Sequence, residues 1–246
     1  QSNVLNLSKN HYIVGPRYGN LDIGDKGLGR LIEPDELLGV LNKQKGKIIV
    51  TSGPTYEEID DVKVVTNKSS GKQGRALAIE LSARGYEIIY IHSASIDHIP
   101  GLDNVSFHSS NDLKIKIIEN INNTDAIFMT AAVSDFTVKK SSGKISRSNG
   151  NITLEFIPNE DIIATIKSSY PEIKCIAFSA QVDDELNFNK INTKNVDYLV
   201  INNILKYNFG SDANKVSIID HQHLIFESEE LDKNEISRDI LNALEY

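Results

Sequence analysis

The sequence predicts an α/β fold: a Rossmann-like, mainly parallel sheet with helices on both faces and a mixed edge hairpin. Three observations lead to this fold class. From Lys47 onward, short apolar runs alternate with longer segments of helical periodicity, which is typical of right-handed βαβ units. Clusters of turn residues separate these segments. Near the C-terminus, two short apolar runs follow each other with only a turn between them, which predicts an antiparallel hairpin at the sheet edge.

Each predicted element rests on its own pattern. The apolar runs predict strands, in chain order, at 47–52, 87–92, 126–131, 152–156, 175–178, 198–201, 216–220 and 224–226. The segments between them predict helices at 34–41, 73–84, 111–121, 160–168, 183–194 and 232–245. In the second helix, for example, Leu77, Ala78 and Leu81 share one face at helical spacing, and Gly85 ends the helix.

Composition excludes several classes of protein. The chain has 246 residues, of which 40% are hydrophobic and 24% charged, as in an ordinary globular protein with a sizeable core. Its net charge of −8 argues against a general nucleic-acid binder. No apolar run approaches about 18 residues, the length that a membrane-spanning helix needs. The single cysteine, Cys175, lies in an apolar run and is predicted to be buried. We expect a reducing, cytoplasmic setting.

Residues 1–44 differ from the rest of the chain. They are rich in glycine and turn residues, whereas the alternation of strands and helices starts after the short segment KGK at 45–47. We therefore predict a boundary near Gln44, with one small N-terminal segment (1–44) and one domain (45–246). In open α/β sheets ligands bind beyond the carboxyl ends of the strands, so the long loops that follow the predicted strands are where chemistry is expected.

The loop after the first strand is the most informative. It contains Gly53, which lets backbone come close to a ligand, and the run Ser69-Ser70-Gly71-Lys72, which opens a helix. Backbone N–H groups, two hydroxyls and an ammonium at a helix N-terminus form a cradle for an anion. A Ser/Gly turn that merely caps the helix fits the composition equally well. The run is neither a P-loop nor a dinucleotide fingerprint.

Three further polar features surround this loop in the sequence. Asn67 precedes the cradle and offers an amide with donors and an acceptor, although a plain turn residue has the same signature. The loop 134–150 is strongly basic in an acidic protein, so it is either a mobile cover for a polyphosphate or a solvated surface run. Lys190 and Lys194 share one helix face. The two side chains either point at an anionic ligand or simply lie in solvent. The carboxylate of Asp135 can contact a ribose hydroxyl or a metal ion, and it can equally well cap a turn.

Taken together, these segments resemble the phosphopantothenoylcysteine synthetase family. The resemblance runs from about Lys47 to about Leu244 and keeps the order of the family's markers. Each marker is weak alone, but seven in the right order are a strong signal. They are GPTYEEIDDVKVVTNKSSGKQG, AAVSD, GKISR, PNEDI, AFSAQ, KNVDYLVINN and FGSDAN.

The N-terminal segment resembles a different enzyme. GNLDIGDKGLGR is similar to the substrate-clamp motif near the C-terminal end of the flavin-dependent phosphopantothenoylcysteine decarboxylase, which is fused to the synthetase in many bacteria. Ile23 stands where that family places its proton-donating cysteine. The flavin, FMN, would belong to a decarboxylase domain that this sequence does not contain. We therefore expect no decarboxylation from this chain alone.

The synthetase resemblance implies a two-step ligation in coenzyme A synthesis. The carboxylate of 4′-phosphopantothenate attacks the α-phosphate of CTP and displaces pyrophosphate, and the amine of L-cysteine then attacks the acyl-cytidylate and releases CMP. The resemblance also implies Mg²⁺ on the triphosphate, a homodimer, and no covalent intermediate with the enzyme. Catalysis would then consist of positioning and charge stabilisation.

The resemblance also implies which residues act. Asn67 would hold the acyl intermediate and Lys144 would contact phosphates, so these two are the predicted catalytic residues. The predicted nucleotide- and substrate-binding residues are Gly53, Thr55, Lys63, Ser69, Ser70, Gly71, Lys72, Ala132, Asp135, Phe178, Lys190 and Lys194. No protein side chain is assigned as a metal ligand. Three positions depart from the family pattern: Lys63 replaces an arginine, the basic loop reads K-I-S-R, and Gln181 replaces an acidic residue.

Two other classes of function remain open at this point. A nicotinamide-dependent oxidoreductase on a similar sheet predicts a G-x-G-x-x-G run after the first strand, and the sequence lacks it. A non-catalytic relative that binds ligands or inhibits a partner would fit the altered N-terminal motif. Intact Asn67 and Lys144 argue against that reading.

Overall fold

The computed structural model describes residues 7, 14–21, 24, 26–41, 45–182, 186–204, 206 and 213–246. Four positions or ranges that the sequence singled out lie outside these residues: Ile23, Gln44, 183–185 and 209–212.

The elements follow the predicted alternation. The strands are Arg17–Asn20 (β1), Lys26–Arg30 (β2), Lys47–Ser52 (β3), Tyr56–Glu58 (β4), Val64–Thr66 (β5), Glu87–Ser93 (β6), Asp103–Phe107 (β7), Ala126–Met129 (β8), Phe136–Val138 (β9), Phe156–Pro158 (β10), Lys174–Gln181 (β11), Tyr198–Asn203 (β12), Ala213–Asn214 (β13), Val216–Ile219 (β14), Leu224–Glu227 (β15) and Leu231–Asp232 (β16). The α-helices are Pro34–Leu41 (α1), Lys72–Ala83 (α2), Ser110–Asn120 (α3), Ile162–Ser169 (α4), Phe188–Lys194 (α5) and Lys233–Ala243 (α6).

One eight-stranded sheet organises the molecule, in the order β15-β14-β12-β11-β8-β3-β6-β7. The ladders from β12 to β7 are parallel, whereas β14 and β15 pair antiparallel at one edge. The predicted α/β class and the predicted edge hairpin are therefore confirmed. The parallel strands place their carboxyl ends at one side of the sheet, where ligands of such folds bind.

Apolar side chains cover both faces of this sheet. One core cluster packs β3 and β8 against α3, α4 and α5, and the other packs the same strands against α2 and α6. The predicted apolar face of α2 is buried, since Leu77, Ala78 and Leu81 are fully inaccessible. Cys175 lies in the first cluster, and burial raises the pKa of its thiol to about 12, so it behaves as a small apolar residue.

The structure corrects the sequence-based elements at three places. The predicted strand at 152–156 is wrong: residues 152–155 form no regular element, and the strand is Phe156–Pro158, which pairs with Phe136–Val138. The alternation in ITLEF does not reflect a buried face, because Ile152 is exposed. The edge strand Asp103–Phe107 was not predicted, since only its last residue is fully buried. The first long loop contains a small hairpin of Tyr56–Glu58 and Val64–Thr66.

The described part of the N-terminal segment packs against α2 through a buried ion network. Arg17 is almost inaccessible, and its guanidinium bonds Glu36 at 2.9 Å and Glu80 at 2.5 Å. Glu80, on α2, also accepts from Nε of Arg84 at 3.1 Å and from Nε of Arg238 at 3.4 Å. One buried carboxylate therefore joins the N-terminal segment, α2 and α6.

We expect Glu80→Gln to destabilise the protein by about 3 kcal/mol, because removing one partner of a buried ion pair leaves the opposite charge uncompensated. Glu36 still compensates Arg17, which keeps the loss at the lower end of the usual range. In a chain of this length the melting temperature should fall by about 6–12 °C. The matched control is Glu119→Gln, which breaks an exposed pair with Lys116 and should change stability by about 0.5 kcal/mol or less. Equal melting temperatures for the two variants would contradict this role of Glu80.

Candidate functional site

A cavity of about 760 Å³ opens at the carboxyl ends of the parallel strands. Much of its lining comes from the residues that end or follow β5, β8, β11 and β12 and from the first turn of α2, and the rest comes from residues 159–163, from α5 and from residues 213–233. The volume lies within the range of sites that take cofactors and small substrates. The site is therefore where the topology of the sheet predicts it.

The anion cradle forms one wall of this cavity. Residues 69–74 line it, and they include the first turn of α2, whose N-cap residue is Gly71. Gly71 has a φ of +69°, a backbone conformation that favours glycine, and a Cβ at this position would lie 2.1 Å from Ile96 Cδ1 and 2.9 Å from Ser52 Oγ. The hydroxyl of Ser52 donates to the Gly71 carbonyl at 2.8 Å and fixes the turn. Backbone N–H groups at the start of α2 thus face the cavity, as an anion site requires.

Gly53 and Thr55 lie beneath this wall and outside the cavity lining. A Cβ on Gly53, which has a φ of +89°, would lie 2.3 Å from Ile96 Cδ1 and 2.7 Å from Ser93 Cβ. Thr55 is fully buried, and its Oγ1 accepts from the N–H of Ser134 at 3.0 Å. The structure therefore places both residues where they join the two loops after β3 and β8.

Asn67 lies where these two loops meet the cavity. Its side-chain amide donates to the carbonyl of Ala132 at 2.9 Å, and both residues line the cavity. The Ala132 carbonyl also accepts from the N–H of Thr55 at 3.2 Å, and the Ala132 N–H donates to Gly53 at 2.9 Å. The hydrogen bond from Asn67 to Ala132 uses one N–H of the side-chain amide, which leaves a second N–H donor and the oxygen acceptor. The amide is held in one orientation beside the anion cradle.

The cavity lining also contains two lysines from α5. Lys190 donates to Oγ of Ser179 at 3.0 Å, and Lys194 forms an ion pair with Asp161 at 2.7 Å. All four side chains belong to residues that line the cavity. The bond to Ser179 places the ammonium of Lys190 at the end of β11. The cavity lining therefore contains the N-terminal turn of α2 and two ammonium groups of α5, one of which is paired with Asp161.

The basic loop is fastened to the hairpin of the first loop. Lys63 is bonded to Asp60 at 2.7 Å, and the same carboxylate accepts from the N–H of Ile145 at 2.9 Å. Asp60 is almost fully buried. The hydrogen bond from Lys63 lowers the pKa of Asp60, burial opposes this effect, and backbone N–H groups lower the pKa further. The stability that Asp60 contributes is present above its ordinary pKa of about 3.9 and is lost as the pH falls through the lowered value.

The predicted site residues fall into two groups. Ten line the cavity: Asn67, Ser69, Ser70, Gly71, Lys72, Ala132, Asp135, Phe178, Lys190 and Lys194. Four lie outside its lining: Gly53, Thr55, Lys63 and Lys144. The roles assigned to all of them stay predictions. Lys144 is exposed on the basic loop, between Gly143 and Ile145, whose N–H groups both bond carboxylates of the hairpin.

Several lining residues were not assigned from the sequence. Asn159, Glu160 and Asp161 belong to the marker PNEDI, which signalled the family but gave no role to its residues. Asn202, from β12, belongs to the marker KNVDYLVINN, which likewise gave it no role. Lys233 comes from the start of α6 and belongs to none of the seven markers. Gln73 connects α2 to α6, because its side-chain amide donates to the hydroxyl of Ser237 at 2.8 Å.

The acidic residues of the cavity lining are Asp135, Glu160 and Asp161. Within the described ranges, no group of three or more His, Cys, Asp or Glu residues is arranged to hold a metal ion. Glu160 forms an ion pair with Lys114, and Asp161 forms one with Lys194. Asp135 is an exposed carboxylate in the cavity lining. None of the helices in the described part of the chain has the length and apolar character that crossing a bilayer requires.

Comparison with known proteins identifies the family. The model of the DNA/pantothenate metabolism flavoprotein C-terminal domain matches residues 43–246. The chain belongs to this family. A "Cysteine/Cysteine sulfinic acid decarboxylase" from an unknown prokaryotic organism is 30% identical over 98% of this chain and 72% of its own length. The "Coenzyme A biosynthesis bifunctional protein CoaBC" of Bacillus subtilis (strain 168) is 33% identical over 88% of this chain. The chain spans only 58% of that bifunctional relative.

Solved structures of this family have the same fold. The C-terminal domain of a CoaBC protein superimposes with a TM-score of 0.68 at 28% identity, covering 83% of this chain and 96% of that one. The DNA/pantothenate metabolism flavoprotein of Streptococcus pneumoniae gives a TM-score of 0.70 at 23% identity, covering 81% of this chain and 98% of that one. The resemblance to phosphopantothenoylcysteine synthetases that the sequence predicts is thereby confirmed.

Proposed function

We propose that this chain is a phosphopantothenate–cysteine ligase that uses CTP. The observation that carries the proposal is the cavity itself, in which a helix N-terminus, a fixed asparagine amide and two lysines surround one space. Two anionic substrates need such a site, because both a triphosphate and a phosphorylated carboxylate must be bound together. The name of the Bacillus subtilis relative supports a role in coenzyme A biosynthesis, and a Cab2 structure with the same fold contains phosphopantothenate-cysteine.

In the first step the carboxylate of 4′-phosphopantothenate attacks the α-phosphate, and the bond to pyrophosphate breaks. Negative charge grows on the leaving group, so donors that are already oriented lower the barrier. The N–H groups at the start of α2 and the ammonium groups of Lys190 and Lys194 are the donors that this cavity offers. Mg²⁺ would supply further neutralisation of the triphosphate; substrate phosphates and water would hold it, and Asp135 is the exposed carboxylate that the cavity lining offers to it.

In the second step the amine of L-cysteine attacks the acyl carbon, and CMP leaves. Asn67 is the residue that would keep the acyl group in place, since its amide is locked by Ala132 and lies beside the cradle. The reaction needs no enzyme nucleophile, and Cys175 is buried in the core. Positioning alone accounts for a large share of the acceleration in such two-substrate reactions. The homodimer that the resemblance implies and the cytoplasmic setting that the composition indicates stay predictions.

Backbone groups are the expected readers of the nucleotide base. The ladder between β11 and β8 ends at the pair Ala177 and Met129, while β11 continues to Gln181. The edge of β11 around Phe178 is thus open towards the cavity and can bond a base edge. Ala132 already uses its own backbone groups within the fold, so it would shape this region rather than bond the base.

We expect CTP to exceed ATP in kcat/KM by about tenfold or more, because a base that leaves a buried polar group unpaired loses about 1–3 kcal/mol. Side-by-side turnover, measured as nucleoside monophosphate release in the presence of phosphopantothenate and cysteine, tests this preference. Rates with ATP that equal or exceed those with CTP would contradict it. Release of the monophosphate with either nucleotide would still support the ligase.

A second candidate is a non-catalytic relative. The N-terminal motif is altered at Ile23, and this departure favours a chain that only binds ligands. Such a protein would bind CTP without releasing CMP. The turnover assay therefore distinguishes the two candidates.

A further inference from the structure

The basic loop that carries Lys144 is held along its length by the turn between β4 and β5. The N–H of Ser141 donates to the carbonyl of Ile59 at 2.9 Å. Gly143 exchanges two bonds with Asp61: its N–H donates to Oδ2 at 2.9 Å, and its carbonyl accepts from the Asp61 N–H at 3.4 Å. These contacts dock residues 140–145 onto the turn as a single layer.

Asp60 differs from the other carboxylates of this turn because it is buried. One oxygen, Oδ1, accepts from the backbone N–H groups of Val62 and Lys63, each at 2.7 Å, and so shapes the turn itself. The other, Oδ2, accepts from the Lys63 ammonium at 2.7 Å and from the N–H of Ile145 at 2.9 Å. The Lys63 ammonium also reaches the carbonyl of Ile145 at 3.1 Å. Asp60 and Lys63 together thus hold both polar groups of the residue that follows Lys144.

The exposed ion pairs of the same region attach the loop to the turn less firmly. Lys140 pairs with Glu58 at 2.9 Å and with Asp61 at 3.1 Å, but all three side chains are largely exposed, and exposed ion pairs hold a segment weakly. Hydrogen bonds to a buried carboxylate are stronger, since water does not compete for the oxygen. The position of the Lys144 backbone therefore depends mainly on Asp60.

We propose that Asp60 is a positioning residue that acts through Lys144. Its carboxylate fixes the Lys144–Ile145 peptide on the same hairpin that leads into Asn67, so the basic loop and the catalytic amide keep one relative position. This inference rests on the proposed function, in which Lys144 contacts phosphates. The same inference assigns a role to Lys63, which lies outside the cavity lining. Its ammonium donates to Asp60 and to the carbonyl of Ile145, and it thereby helps to hold the loop.

Amide hydrogen exchange tests whether Asp60 holds the loop, and this measurement needs no substrate. In Asp60→Asn the N–H of Ile145 should exchange faster by about 10- to 100-fold, as expected for losing a charge-assisted hydrogen bond. The matched control is Asp61→Asn, the same change one residue along, which should speed exchange at Gly143 and spare Ile145. Unchanged exchange at Ile145 in folded Asp60→Asn would overturn the proposal, whether or not the chain is a ligase.

A double-mutant cycle tests the functional half. If Asp60 acts through Lys144, Asp60→Asn should lower kcat by about 10- to 100-fold in the wild-type background and by less than about threefold in Lys144→Gln. Equal losses in both backgrounds would overturn the proposal, because Asp60 would then act independently of Lys144.

A second variant covers the case in which Asp60→Asn does not fold. Ile145→Pro removes the N–H that Asp60 holds but leaves Asp60, Lys63 and the turn intact, and it should reproduce the loss of kcat with an unchanged KM for phosphopantothenate. Wild-type kcat in folded Ile145→Pro would also overturn the proposal. A wild-type protein without ligase turnover would refute the proposed function, and the exchange result would still decide whether Asp60 holds the loop.

Discussion

Replacing Asn67 by aspartate should reduce ligase turnover by about 100- to 1,000-fold, the usual cost of losing one placed donor at a charged transition state. The wild-type amide donates to the Ala132 carbonyl at 2.9 Å. A carboxylate at this position would repel that carbonyl and any phosphate in the adjacent cradle. We expect impaired pyrophosphate release or loss of the acyl nucleotide before cysteine attacks it, which single-turnover analysis of both products would show.

Asn159 provides a matched comparison for this variant. It also lines the cavity, and its side-chain amide donates to the carbonyl of Ser134 at 2.9 Å. Asn159→Asp therefore introduces the same charge into the same cavity and disrupts the same kind of bond. A much smaller loss for Asn159→Asp would assign the effect to the position of Asn67. Unchanged turnover and a normal intermediate profile in Asn67→Asp would refute its role.

Replacing Lys144 by glutamine should lower turnover by about 100-fold with little change in folding. The side chain is exposed, and exposed substitutions usually change stability by about 0.5 kcal/mol at most. If the ammonium meets the phosphates as charge develops, its loss affects kcat more than stability. CTP should also protect the loop from protease less well in this variant, since fewer contacts hold the loop over the nucleotide.

Two further variants make this test selective. Arg147 lies three residues along the same loop and can partly replace Lys144, so the double variant with Arg147→Gln should lose more turnover than either single variant. Lys139→Gln removes one positive charge from the same exposed loop and should retain most of the activity. Wild-type turnover in the double variant, with cleavage unaffected by CTP, would show that the basic run is only a solvated surface.

The fold could be predicted from the sequence because its signals are local. The buried face of α2 follows from the spacing of Leu77, Ala78 and Leu81, and the parallel strands follow from apolar runs between helices. The edge strand Asp103–Phe107 gave no such signal, since its pairing with β6 rather than its side chains makes it a strand. Pairing partners are long-range information that a single sequence does not contain.

The candidate site could be predicted only in part, for the same reason. The cradle and the lysines of α5 were found because each is a local motif that the family resemblance places in order. The bond between Asp60 and Ile145 joins residues 85 positions apart, and neither has a pattern that predicts the other. The few apolar anchors of the basic loop predict a mobile segment, and that stays a prediction. The hydrogen bonds from Gly143 to Asp61 and from Ile145 to Asp60 are contacts that no local pattern indicates.

The most direct test of the ligase is to follow all products in one reaction. Purified protein should convert 4′-phosphopantothenate, L-cysteine and CTP into phosphopantothenoylcysteine, with one CMP and one pyrophosphate released for each molecule formed. Omitting cysteine should leave pyrophosphate release but stop CMP release, because the acyl-cytidylate then has no acceptor. CTP binding without any pyrophosphate or CMP would contradict the ligase and indicate a protein that only binds its ligands.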